Sequence, residues 1–112
     1  MTQDLTHTQR DALALLKAAT NISQAREKQD KSGLTIALDE NLQLWTAIKT
    51  LVSRKDHPLN DKAKENLIKM ADYVVAKTLK DGNNATETTL DTLENMNLQI
   101  AEGLLENQRP AA

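Results

Sequence analysis

Few side chains in this sequence could do chemistry, and their spacing works against it. The histidines, His7 and His57, lie far apart, and there is no cysteine. A zinc site would therefore have to join both histidines to carboxylates from unrelated stretches. Ser23 and Ser32 have no histidine nearby in sequence to act as a base. Ser53 precedes His57 by four positions, a spacing that suits the end of a helix better than a nucleophile and its base. Asp39 and Glu40 point to different sides of any helix and read as solvated surface. Three isolated glycines cannot build a phosphate cradle, and neither His-Glu-x-x-His nor an acidic calcium loop occurs. The expectation is a protein that is not an enzyme, with no catalytic residue, no metal site and no cofactor.

Two amides are more specific. Asn41 lies on an apolar stripe one turn after Leu38 and one turn before Trp45, and Asn97 sits in the same way between Leu93 and Ile100. A buried amide costs about 1–3 kcal/mol unless it is hydrogen-bonded. Either the two pair with each other or with backbone, fixing helix register as a buried Asn does in coiled coils, or they border a groove that receives another helix. Trp45 poses the same choice between core and interface anchor.

These residues must be held by helices. The chain has 112 residues, 39% hydrophobic and 27% charged, with Trp45 and Tyr73 its only aromatics. That composition suits one small helical domain in a reducing compartment, and the cytoplasm is the expected location. No apolar run approaches the roughly 20 residues of a membrane span, and the polar start Met-Thr-Gln-Asp-Leu-Thr-His does not read as a signal peptide. Four segments carry apolar residues at helical spacing. The first holds Ala12, Leu15, Leu16, Ala19 and Ile22, after which only Ala25 is apolar, so its second half reads as solvated. The second holds Leu34, Ala37, Leu38, Leu44, Trp45, Ile48, Leu51 and Val52. The third holds Ala63, Leu67, Ile68, Ala71, Val74, Val75 and Leu79, and the fourth Leu90, Leu93, Ile100 and Leu104.

The punctuation between them is local. Pro58 ends one segment and Gly82 suits the left-handed residue that closes another. Asp30-Lys31-Ser32-Gly33 marks a third break. Asn60 suits the cap of the third helix, and Asn84 with Glu87 has capping-box spacing for the fourth. The fold class predicted is all-α, a small up-and-down bundle of three to four helices.

Charge is uneven within a net of −2: residues 49–80 carry eight Lys or Arg against four acids, and residues 81–112 one Arg against six acids. The plain expectation is two oppositely charged helices lying together. A nucleic-acid surface is disfavoured, because the basic stretch lacks Arg clusters and interleaved aromatics.

Ala37-Leu38-x-x-Asn41-x-x-Leu44-Trp45 resembles the A-L-x-x-N-x-x-L-W signature of the FlaF family of bacterial flagellar biosynthesis regulators. Leu59 and then Leu67-Ile68, Ala71-Asp72-Tyr73-Val74 and Lys77-Thr78 are similar to that family's next helix, with Asp72 where an apolar residue is usual. Leu93-x-x-x-Asn97-x-x-Ile100-x-x-Gly103-Leu104 resembles its closing motif. The resemblance covers about residues 34–105 and matches poorly over the first thirty. It divides the single domain into a first helix and hinge (1–33), a core (34–105) and a tail (106–112).

The resemblance implies a role in flagellin production and export, with flagellin's helical terminal segments as the partner and a functional link to a second regulator, FlbT. An amphipathic helix laid in an apolar groove is the matching mode of recognition. Leu44, Trp45, Ile48 and Ile100 would then be apolar anchors, Asn41 and Asn97 would set register, and Gly103 would allow close backbone approach, either to a partner or within the bundle. The alternatives are a regulator that binds flagellin mRNA through residues 49–80 and a helical adaptor for another flagellar regulator.

Overall fold

The computed structural model describes residues 7–57 and 59–106. Pro58, the side chain of His7, the opening residues and the tail beyond Glu106 lie outside the described residues. Four helices run α1 (His7–Glu27), α2 (Lys31–Val52), α3 (Asp61–Asp81) and α4 (Glu87–Glu106), with a single 3₁₀ turn at Gly82–Asn84 before α4. The described residues contain no strand. This is the all-α bundle expected, with four rods of 20 to 22 residues.

Cross-links between helices give their directions. Arg26 near the end of α1 meets Glu87 at the start of α4, and Lys49 late in α2 meets Asp72 of α3, while Thr35 early in α2 accepts from Asn83. Successive helices therefore alternate up and down. The molecule measures 43 × 35 × 21 Å, so its thin dimension is two helix diameters of about 10–12 Å each.

The neighbours are not the ones that charge suggested. α1 packs against both α4 and α2, α3 packs against α2, and α3 and α4 barely touch. The basic and acidic stretches do not lie together. The acids of α4 meet Arg26 of α1 instead, while Lys69 pairs with Glu65 on its own helix. Small side chains explain the close α1 packing: Ala12, Ala18, Ala19 and Ala25 are all buried and let neighbouring backbones approach. This also corrects the expected solvation of the second half of α1. Ala25 is core, and the half-buried Arg26 is neutralised by carboxylates.

The helix ends show which local signals operate. Asn60 caps α3, its Oδ1 accepting from the Ala63 amide at 2.8 Å. Gly82 closes α3 at φ +51°. The fourth helix departs from expectation: Thr86 rather than Asn84 caps it, its Oγ1 accepting from the Thr89 amide at 3.1 Å. Glu87, the other half of the expected capping box, is drawn to Arg26 instead, at 2.5 Å.

Between α1 and α2 the Asp30 amide donates to Ala25 O (3.0 Å) and the Gln29 amide to Arg26 O (3.1 Å). This is the double bond pattern of a Schellman closure, with Gln29 at φ +52° where glycine is usual. Asp30 then caps α2 directly, accepting from the Gly33 amide at 2.9 Å. A left-handed conformation costs a residue with a Cβ about 1–2 kcal/mol. Gln29→Gly is therefore expected to stabilise the protein by about 0.5–1 kcal/mol, after the glycine's extra unfolded-state freedom is subtracted. Urea unfolding followed by far-UV circular dichroism checks the sign. A lower midpoint in the variant would show that the side chain of Gln29 holds something the strain does not outweigh.

Two apolar residues on the predicted stripes are not core. Leu51 is 42% and Leu79 75% exposed, both in the last turn of their helices.

Candidate functional site

The centre of the bundle is a polar knot. α4 presents Asn97, α2 presents Asn41 and Trp45 one turn apart, and all three are fully buried. Asn97 Nδ2 donates to Asn41 Oδ1 at 2.7 Å and to the backbone carbonyl of Leu15 in α1 at 3.1 Å. Trp45 Nε1 donates to Asn97 Oδ1 at 2.8 Å. One amide thus uses both of its hydrogens and its oxygen to tie three helices. The Nδ2 of Asn41 is also buried but has no partner among the described residues, a deficit worth about 1–3 kcal/mol.

This corrects the placing of Asn41, Trp45 and Asn97 on an open groove. They pair with one another and with backbone in the interior, because a ring nitrogen and two amides satisfy each other best where water is excluded. Ile48 is buried beside them, Leu44 and Ile100 are half-buried at the margin, and Gly103 is exposed. A Cβ built on Gly103 would meet nothing within 4 Å, so helix packing within the described bundle does not require a glycine there.

The furrow expected to lie open between α2 and α4 is closed in the structure. No α2 Cα lies within 8 Å of an α4 Cα, yet the side chains of the two helices join at Asn41, Trp45 and Asn97. What fills it is α1. Leu15 and Ile22 are wholly buried, and the Leu15 carbonyl receives the Asn97 amide.

At the acidic end of α4, Arg26 of α1 pairs with Glu87, Asp91 and Glu94. The hydrogen bond to Glu87 and those to the other two carboxylates hold the guanidinium charged more firmly than usual. Sequence reasoning missed this cluster. Its signal was the acids Glu87, Asp91 and Glu94 at helical spacing on one side of α4.

Ser53 and His57 are both used locally. Ser53 Oγ donates to Lys49 O at 2.6 Å, and His57 Nδ1 accepts from the Leu59 amide at 3.4 Å. Asp72, the departure from the family pattern, is exposed and bridges to Lys49 at 2.6 Å.

A small antiparallel helical bundle organised round an Asn-Asn-Trp knot is the architecture these observations define. The family model described as Flagellar protein FlaF matches residues 1–104, and the chain belongs to that family. It is thus a flagellar protein. The match begins at residue 1 and so takes in the first helix, which the motif resemblance had left out. No curated protein matches the chain, and no solved structure does.

Proposed function

We propose that the protein regulates flagellin synthesis and export by binding the helical terminal segments of flagellin, as an export chaperone-like partner in the cytoplasm, and that it is not an enzyme. Membership of a flagellar family is the observation that carries this reading. The seam between α2 and α4 supports it, since it already holds a helix, α1, and the family-like motifs line it. A subunit whose amphipathic ends cannot bury their apolar faces before assembly needs such a cover. Among the described helices none is long and apolar enough to cross a membrane. FlbT enters as a functional link rather than as the occupant of the furrow.

Isothermal titration of the full chain with monomeric flagellin, and separately with synthetic peptides of its two terminal segments, tests the reading. Saturable binding to one segment is expected. No binding to flagellin, with retention of flagellin mRNA that weakens steadily as salt rises, would replace it with the RNA reading. Recovery of FlbT alone would replace it with the adaptor reading.

A further inference from the structure

We infer that α1 is an exchangeable occupant of the α2–α4 furrow, and that the protein takes its partner by releasing α1 and accepting an amphipathic helix in its place. Only the partner's identity as flagellin rests on the function proposed above. The α2 and α4 backbones stay more than 8 Å apart, and side chains join them, Asn41 and Trp45 of α2 meeting Asn97 of α4. One part of the hold on α1 is independent of its sequence: Asn97 grips the Leu15 backbone carbonyl, an acceptor any helix can offer.

The fit of α1 is also incomplete. The Asn41 Nδ2 buried in the same knot has no partner among the described residues. Leu15 and Ile22 are its only large apolar side chains fully buried, the rest of its buried stripe being alanine. At the α1–α2 seam a recess of about 240 Å³ remains, bordered by Asn21, Gln24, Ala25, Ile36, Ala37 and Glu40. The turn beside it holds Gln29 in a left-handed conformation. Release of α1 relieves that strain.

What α1 contributes also describes its replacement. The incoming helix carries small and aliphatic residues at three- and four-residue spacing. It carries a Lys or Arg at the far end of the stripe, where Glu87, Asp91 and Glu94 of α4 receive Arg26.

A partner that must wait for α1 to leave binds with an apparent affinity reduced by the fraction of open molecules. Loosening α1 therefore tightens partner binding, even as it lowers the melting temperature. The experiment titrates the full chain, as wild type, Arg26→Ala and Gln29→Gly, with a fluorescent peptide of residues 7–27 and with monomeric flagellin. Arg26→Ala is expected to bind both probes about threefold to tenfold more tightly than wild type, the larger figure corresponding to about 1.4 kcal/mol less hold on α1. Gln29→Gly is expected to bind both more weakly. Native-state hydrogen exchange on the wild type is expected to open α1 while α2 and α3 stay protected.

Equal peptide affinity for all three proteins, or α1 amides that exchange only with global unfolding, would overturn the inference. Flagellin that binds all three alike would also overturn it, by placing the contact on the outer surface. Peptide results as expected with no flagellin binding would leave the exchangeable furrow standing and remove flagellin as its partner.

Discussion

Trp45→Ala is expected to lower the stability of the protein by about 4–6 kcal/mol. Removing a buried aromatic costs roughly 3–5 kcal/mol in lost burial and residual cavity. Here the indole also donates to Asn97 Oδ1 at 2.8 Å, and the orphaned acceptor adds about 1 kcal/mol. Domains of this size have about 5–15 kcal/mol in total, so the variant is close to the limit of folding at physiological temperature. Trp45→Phe separates the two contributions. It keeps most of the bulk and is expected to cost about 1–2 kcal/mol. Urea midpoints from far-UV circular dichroism measure both, and a loss below 1 kcal/mol for the alanine variant would contradict the packing described.

The two asparagines are expected to differ sharply although both are fully buried. Asn97→Leu deprives the Trp45 N–H and the Asn41 amide of their partner, stranding polar groups on α2, and is expected to cost about 3 kcal/mol. Asn41→Leu removes a group whose own Nδ2 has no partner among the described residues and strands only one hydrogen of Asn97, which keeps its bond to Leu15 O. Its cost is expected to stay within about 1 kcal/mol of zero. The comparison uses the same unfolding assay. Equal losses would show that the Asn41 amide has a partner, such as a buried water, that holds it as firmly as Asn97 is held.

Much of the bundle was legible in the residue spacing, and its failures have physical causes. Large aliphatic residues three and four apart marked the inner faces of α2, α3 and α4, because such stripes have no stable place but a core. Spacing places a side chain on a stripe but not where the covered part of that stripe stops, and Leu51 and Leu79 fall outside it. In α1 the misreading ran the other way. Alanine adds little to a hydrophobic stripe, so the buried Ala18 went unnoticed, the buried Ala25 was assigned to a solvated half, and an arginine beside it looked like solvated surface. That α1 rather than α3 neighbours α4 could not be read from net charge, since it depends on small side chains permitting close approach. The site was half legible: the pairing of Asn41 with Asn97 was one of two readings, whereas the part played by the Leu15 carbonyl leaves no mark in a sequence.

The position of Trp45 has an optical consequence. As the sole tryptophan, wholly shielded from solvent and packed in the interior of the bundle, it should fluoresce at the blue end of the indole range. Any event that admits water beside it should move the emission to longer wavelength. Excited selectively, the protein thus reports the state of its own centre without a label, in the presence of any ligand that itself lacks tryptophan.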